Sequence, residues 1–201
     1  MTIKTEAMGV YQTNCYIVTI DKKDIIIDAG VGATPWIIKN VTNPIAILNT
    51  HGHFDHIWSN AELKKHFNIP IYIPKADAFM LTDDPLNQGT PKCEADYLVD
   101  GDEIINLDGI EIKFRLFAGH TMGCSVIEID DVWFSGDFLF KRSIGRWDFP
   151  ASDGYKMIES LKKAQKIKED YKIYSGHGDS TTLREEQQFM PYWVEQVRAS
   201  I

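Results

Sequence analysis

The segment THGHFDH occupies residues 50–56 and directly follows the apolar run IAILN. Three of the six histidines in the chain, His51, His53 and His56, lie within it, together with Asp55. In an extended backbone, residues two positions apart point to the same face, so His51 and His53 can reach one metal ion together. Asp55 and His56 come just past the extended part, at an expected turn or helix start. The spacing therefore predicts that they can reach a second ion.

Three further ligand-type residues stand beside glycine at the ends of predicted strands: His120, Asp137 and His177. Loops at strand ends commonly carry binding and catalytic residues. Neutral imidazole and carboxylate are ligands that suit zinc, iron and manganese. The segment at residues 50–56 contains no cysteine, which disfavours a closed, cysteine-rich structural zinc site. The pattern favours an open catalytic metal site.

The composition is that of a soluble globular protein. The chain has 201 residues, and 21 Lys and Arg against 29 Asp and Glu give a net charge of −8. An acidic chain lacks the electrostatic signature of a general nucleic-acid binder, so we expect no nucleic-acid partner. No apolar run approaches the length of a membrane span and no signal peptide is visible, so we expect no membrane association. Three cysteines fit a reducing cytoplasm. We expect one domain over residues 1–201; the oligomeric state is left open.

Short strands dominate the first half of the chain and helices the second. Two-residue turn signals at residues 108–109 and 130–131 predict β-hairpins, and residues 21–23 predict a third. The apolar spacing in residues 155–167 predicts an amphipathic helix. Residues 58–67 also have a helical composition. This order indicates an α/β or α+β sandwich.

Two helix starts carry a capping-box pattern, in which a Ser or Thr precedes a Glu by three residues. One is Ser59 with Glu62, and the other is Thr182 with Glu185. Pro191 falls inside the last helical segment and is expected to kink it or end its first part.

Taken together, these landmarks resemble the metallo-β-lactamase-fold hydrolases, and within them the glyoxalase II-like branch of hydroxyacylglutathione hydrolases. The resemblance spans most of the chain. It is carried by five motifs: QTNCY from Gln12, IDAG from Ile27, the histidine segment with His120 and Asp137, GR-x-D from Gly145, and GHG from Gly176. It implies an α/β (α+β) fold, a four-layer αββα sandwich with metals at one edge.

The resemblance also implies a site for two divalent metal ions, zinc first, with iron or manganese as alternatives. Ligands of the first ion would be His51, His53 and His120. Ligands of the second would be Asp55, His56 and His177, with Asp137 bridging both ions. Asp28 would hold ligands from behind without binding an ion.

The implied activity is hydrolysis of a small-molecule thioester of the S-lactoylglutathione type by a hydroxide that bridges the metals. In this family Asp55 is catalytic, holding the attacking water or accepting its proton. Arg146 would contact the substrate carboxylate, while Asp148 and Asp179 stand where the family has tyrosines. Trp147, Phe149 and Tyr155 are candidates for an apolar wall beside the site; their alternative role is core packing.

Other activities remain open on the same ligands. A persulfide dioxygenase uses one iron held by two histidines and an aspartate. Lactonases and β-lactamases use the same metal core as the thioesterases. A metal-binding interaction module without catalysis is the non-enzymatic alternative.

Overall fold

The computed structural model describes all residues, 1–201, and is built on two six-stranded sheets. The first sheet has its strands in sequence order. They are β1 (Thr2–Met8), β2 (Thr13–Ile20), β3 (Lys23–Ile27), β4 (Pro44–Leu48), β5 (Ile71–Pro74) and β6 (Tyr97–Val99). Strands β3 to β6 pair in parallel, whereas β1, β2 and β3 pair antiparallel.

The second sheet has the order β14-β13-β10-β9-β8-β7. Its strands are β7 (Glu103–Leu107), β8 (Ile110–Leu116), β9 (Ser125–Ile129), β10 (Val132–Gly136), β13 (Lys172–Ser175) and β14 (Thr181–Thr182). A separate two-stranded hairpin is formed by β11 (Leu139–Phe140) and β12 (Ser143–Ile144). Only β10 and β13 pair in parallel in this sheet.

Helices cover the outer faces of both sheets. They are α1 (Thr34–Asn40), α2 (Phe54–Ile57), α3 (Asn60–Phe67), α4 (Met80–Asp83), α5 (Gly154–Gln165), α6 (Leu183–Gln187) and α7 (Met190–Ser200), with a 3₁₀ turn at Lys75–Asp77. No helix combines the length and the apolar composition needed to cross a bilayer.

The core explains why the apolar runs are continuous rather than alternating. On β3, Ile25 and Ile27 face the second sheet, while Ile26 faces the helical layer formed by α1 and α3. Successive side chains of a strand point to opposite faces, so a strand covered on both sides is apolar at every position. The four layers follow, helix–sheet–sheet–helix, and the α/β sandwich expected from the sequence is confirmed.

Polar loops from the two sheets meet at one edge. The parallel strands β3 and β4 end there, and so do β10 and β13. The backbone N–H of Asn14 donates to the carbonyl of Gly176 at 2.7 Å, and the Asn14 side chain donates to the carbonyl of Ser175 at 3.0 Å. These bonds tie the first sheet to the second next to the candidate site.

The three predicted hairpins and the helix near residues 155–167 are present. The capping box at Thr182 is half right, because its hydroxyl accepts from the Glu185 N–H at 3.2 Å. The one at Ser59 is wrong: its hydroxyl donates to the carbonyl of Gly30 at 2.7 Å and caps nothing. At Ser59 the hydrogen bond to the loop after β3 replaces the local capping bond. The last helical segment is divided, as expected: α6 ends at Gln187, and α7 begins at Met190 with Pro191 in its first turn.

Candidate metal centre

The loop after β4 delivers His51 and His53 to the edge of the sheets, and the loop after β8 delivers His120. The ring nitrogens of these three residues lie within 4.8 Å of one another, and all three side chains are buried. His53 Nδ1 and His120 Nε2 are 2.8 Å apart. The structure therefore brings together the three residues predicted for a first ion, although 67 positions separate two of them.

A second group lies beside the first. Asp55 and His56 stand in the single-turn helix α2, and His177 follows β13. Their ligand atoms also lie within 4.8 Å of one another. His177 Nε2 is 3.5 Å from Asp55 Oδ2, and His56 Nε2 is 3.6 Å from the same oxygen. These are the three residues predicted for a second ion.

Asp137 lies between the two groups. Its Oδ2 atom is 3.4 Å from Nε2 of His120, in the first group, and 3.4 Å from Nε2 of His177, in the second. Its Oδ1 atom is 3.3 Å from His56 Nε2. One carboxylate thus contacts both groups, which is the arrangement that a bridging ligand needs.

Asp28 orients one histidine of each group, His51 and His56, through the ring nitrogen that faces away from the centre. Its Oδ2 atom is 2.9 Å from His56 Nδ1 and accepts the Thr50 hydroxyl at 2.7 Å. The Thr50 oxygen in turn lies 3.0 Å from His51 Nδ1. A carboxylate only accepts hydrogen bonds, so His56 Nδ1 donates to Asp28. The Thr50 hydroxyl also donates to Asp28, so the Thr50 oxygen accepts from His51 Nδ1. In both rings Nδ1 carries the proton and the Nε2 lone pair faces the centre. Asp28 itself contacts neither of the open ring nitrogens.

Backbone carbonyls hold two other rings in the same way. His120 Nδ1 donates to the carbonyl of Arg146 at 2.8 Å, and His177 Nδ1 donates to the carbonyl of Tyr11 at 3.0 Å. A carbonyl cannot donate, so these bonds also fix the Nδ1–H form of each ring. In each ring Nε2 is then the nitrogen whose lone pair can bind a cation.

Gly145 explains why the predicted GR motif matters here. A Cβ atom at this position would lie 1.7 Å from the Asp137 carbonyl oxygen and 3.0 Å from His120 Nδ1. Only glycine permits that approach, which brings the Arg146 carbonyl onto the His120 ring. The backbone of this motif thus contributes directly to the centre.

The protonation of the two groups differs. Burial, with His56 close by, holds the pKa of His51 well below its ordinary value, and burial together with His120 lowers the pKa of His53 to about 3. Burial also lowers the pKa of His56, but the carboxylates of Asp55 and Asp137 outweigh it and raise that pKa well above its ordinary value. The rings of His51 and His53 are therefore neutral at neutral pH, the form that binds metals.

The residues fit divalent metal cations. Three buried polar atoms at the centre have no hydrogen-bond partner: Nε2 of His51 and His56, and Oδ1 of Asp137. A buried polar group without a partner costs about 1–3 kcal/mol, so several such atoms converging on one place point to a missing ligand. The donors are all imidazole nitrogens and carboxylate oxygens, a set that suits zinc, iron or manganese.

A cleft of about 300 Å³ opens onto this centre. Its floor is formed by residues of both groups and Asp137, and its walls by Tyr11, Phe54, Leu86, Gln88 and Phe149. Of the predicted apolar wall, Phe149 lines the cleft, 5.8 Å from the His53 ring, whereas Trp147 bonds to Ser200 and Tyr155 is 68% exposed. Tyr11, Leu86 and Gln88 were missed because no local pattern marks them.

Arg146 does not line the cleft itself but contacts Phe149, which does. Its guanidinium group is 4.2 Å from the centre of the Phe149 ring and makes two bonds of 2.9 Å to Asp148. Both charged side chains are about 60% exposed, so the pair is held weakly and can exchange partners. Asp179 is also at the surface, paired with Lys141 at 3.0 Å.

Comparison with known proteins agrees with this architecture. Residues 8–177 match the metallo-beta-lactamase superfamily. The hydroxyacylglutathione hydrolase GloC of Haemophilus influenzae is 34% identical over 96% of this chain and 98% of its own. The BLEG-1 B3 metallo-beta-lactamase is 30% identical, with a TM-score of 0.86 over 95% of this chain and 99% of its own.

A second solved structure bears on the metal. TTHA1623, determined in a di-iron-bound form, is 27% identical, with a TM-score of 0.82 over 94% of this chain and 99% of its own. The match to the superfamily covers most of the chain and includes each residue of the two groups. The protein therefore belongs to the metallo-beta-lactamase superfamily of metal-dependent hydrolases, and its cluster of histidines and aspartates is a divalent-metal centre.

Proposed function

We propose that the chain is a binuclear metal-dependent thioester hydrolase of the glyoxalase II type, acting on S-lactoylglutathione or a closely related thioester. The observation that carries this proposal is the completeness of the second donor group, Asp55, His56 and His177, beside a carboxylate that contacts both groups. The identity to the hydroxyacylglutathione hydrolase GloC supports the thioester as substrate. Zinc is the proposed metal, and the donor set also accepts iron or manganese.

Two divalent ions, when bound, activate water as a nucleophile near neutral pH and stabilise negative charge on a carbonyl oxygen. The first ion would be held by His51, His53 and His120, and the second by Asp55, His56 and His177, with Asp137 between them. Asp28 and the two backbone carbonyls keep the histidine lone pairs directed to the centre. Reorganisation during the reaction is then small, because the donors are already oriented.

Asp55 is the proposed proton acceptor. Its Oδ2 atom accepts the Thr13 hydroxyl at 2.7 Å, which fixes the plane of the carboxyl group. The side chain lines the cleft, so its remaining lone pairs are placed to orient an attacking water and to take its proton. No serine or cysteine lines the cleft, and Cys15 and Cys124 are fully buried. Water is therefore the proposed nucleophile.

The cleft walls suit an acyl thioester. Phe54 and Phe149 offer apolar surface beside the centre, and Gln88 offers one neutral amide. A thiolate is a good leaving group, so general-acid help from the chain is not required for it to depart. Arg146, which lies against the outer side of the wall residue Phe149, is proposed to attract a carboxylate on the thiol carrier.

The test is hydrolysis of S-D-lactoylglutathione by the purified protein with its metal content measured, followed as loss of the thioester. We expect turnover that disappears on chelation and returns with zinc. A protein with two ions bound that hydrolyses neither this thioester nor other small acyl thioesters would contradict the proposal.

One observation supports a second activity. Asp137 Oδ2 is 3.4 Å from His120 Nε2, so an aspartate stands next to the first group and a single iron is compatible with these donors. A persulfide dioxygenase uses such a site. Oxygen consumption with glutathione persulfide by the iron-loaded protein, in the absence of thioesterase activity, would favour this alternative. Hydrolysis of a lactone or a β-lactam in place of thioesters would assign the same centre to those substrates.

Arg146→Ala tests the proposed contact between Arg146 and a carboxylate on the thiol part of the substrate. We expect KM for S-D-lactoylglutathione to rise about two- to fivefold with little change in kcat, because an exposed ion pair contributes up to about 1 kcal/mol of uniform binding. Arg184→Ala is a matched control, since Arg184 is also an exposed arginine paired with an aspartate, Asp170. An unchanged KM in Arg146→Ala would show that the side chain does not contact the substrate.

A further inference from the structure

Asp77 is a fully buried carboxylate that belongs to neither metal-binding group. It stands in the 3₁₀ turn after β5, and none of its side chain reaches solvent. Its Oδ2 atom accepts from the backbone N–H of Gly52 at 3.0 Å and from the hydroxyl of Thr121 at 2.5 Å. Its Oδ1 atom accepts from the backbone N–H of Gly123 at 2.7 Å.

These three donors come from the two loops that carry the first group. Gly52 lies between His51 and His53, and Thr121 directly follows His120. The two loops are far apart in the sequence and belong to different sheets. Asp77 is therefore a single side chain that fixes the distance between them.

The loops approach Asp77 so closely that only glycine fits. A Cβ atom on Gly52 would lie 2.7 Å from the Asp77 carbonyl oxygen, and one on Gly123 would lie 2.7 Å from the Asp77 carboxyl carbon. Ordinary contacts begin near 3.4 Å, so the two glycines are required by this packing. The chain thus has glycine at the two positions that pack directly against Asp77, Gly52 against its backbone carbonyl and Gly123 against its carboxylate.

All three partners donate hydrogen bonds, as an ionised carboxylate requires. No lysine or arginine pairs with Asp77. The first group itself contributes only imidazole rings. Asp77 bonds to the residues directly beside two of its histidines, so it supplies a buried carboxylate near a cation bound there. Asp77 can therefore act on the first ion both by holding the loops and by its charge.

We propose that Asp77 is a positioning residue that sets the affinity and geometry of the first metal ion. The inference rests on metal binding by His51, His53 and His120, which the proposed function also requires. It concerns that site alone and leaves the second group unaffected.

The test is Asp77→Asn, with stepwise Zn²⁺ affinities measured by chelator competition. Asparagine keeps the size, but its amide NH₂ must face at least one of the three donors, so a bond and the charge are both lost. We expect the first ion to bind about 10–100-fold more weakly, the range found when residues behind metal ligands are replaced. The same measurement on a His177→Ala background, which lacks one donor of the second group, isolates the first ion.

Asp24→Asn is the matched control. Asp24 is 3% exposed and accepts from the Thr19 hydroxyl at 2.6 Å and from the backbone N–H groups of Thr42 and Asn43 at 2.6 and 2.9 Å. It stands at the start of β3, at the opposite end of that strand from the metal centre. It has the same kinds of donor as Asp77, so the control should lose comparable stability while Zn²⁺ affinity stays unchanged.

Thr121→Val gives a second variant that removes one bond to Asp77 and keeps the charge. We expect a smaller loss of first-ion affinity than in Asp77→Asn, and the variant keeps the inference testable where Asp77→Asn does not fold. First-ion affinity equal to wild type in Thr121→Val and in any folded Asp77→Asn would overturn the inference while the proposed function stands. A wild-type protein that binds no divalent ion would overturn both.

Discussion

Asp137→Ala is expected to lower kcat/KM for thioester hydrolysis by about a thousandfold or more, corresponding to about 4 kcal/mol of transition-state stabilisation. The reason is that Asp137 contacts His120 in one group and His56 and His177 in the other. Without it, neither ion keeps its full set of ligands. Metal analysis of the purified variant should show fewer than two ions per chain.

The variant is expected to fold, because the Asp137 side chain contacts only histidines of the centre and holds no other part of the fold. Asp179→Ala is the control: it also removes an aspartate close to His177, but Asp179 is 80% exposed at its side chain and pairs only with Lys141. We expect near wild-type activity and metal content there. Normal turnover in Asp137→Ala would refute the assignment of the centre.

The second large effect is expected from adding a single methyl group. Gly176 follows β13, and a Cβ atom at this position would lie 2.1 Å from Asp137 Oδ1 and 2.8 Å from His56 Cε1. Both atoms belong to the centre, so Gly176→Ala must displace the carboxylate or the ring. A shift of about 1 Å in reacting groups can cost about a hundredfold in rate, and we expect kcat/KM to fall by at least that factor.

Gly178→Ala is a demanding control for this variant. Gly178 has a φ of +73°, so alanine is strained there, but no atom lies within 4 Å of an added Cβ. We expect Gly178→Ala to lose stability and keep its activity, and Gly176→Ala to lose activity beyond its loss of stability. Thermal unfolding and kcat/KM measured on both variants separate the two effects. Equal activities in the two variants would show that the Asp137 position tolerates displacement.

Local sequence patterns predicted the fold class, an α/β or α+β sandwich, because burial determines which positions of a strand are apolar, whereas the four-layer arrangement came from the family resemblance. The run from Ile25 to Ile27 is apolar at every position since β3 is covered on both faces, and the Asp108-Gly109 pair marks a turn by its backbone conformation alone. The pattern at Ser59 failed because a tertiary acceptor, the carbonyl of Gly30, competes for the hydroxyl. The Ser-x-x-Glu pattern is local and cannot indicate an acceptor that is distant in the sequence.

The sequence by itself determined that the chain carries a metal centre, because His51, His53, Asp55 and His56 lie within six residues and their spacing is a property of the local backbone. The glycine-flanked pattern and the family resemblance point to His120, Asp137 and His177, but only the tertiary structure places them against the histidine segment and adds Asp77. Asp137 contacts both groups, and Asp77 joins the two loops of the first, because strands from two different sheets end at a common edge. Hydrogen bonds between residues 44 positions apart, as between Asp77 and Thr121, leave no local periodicity to detect.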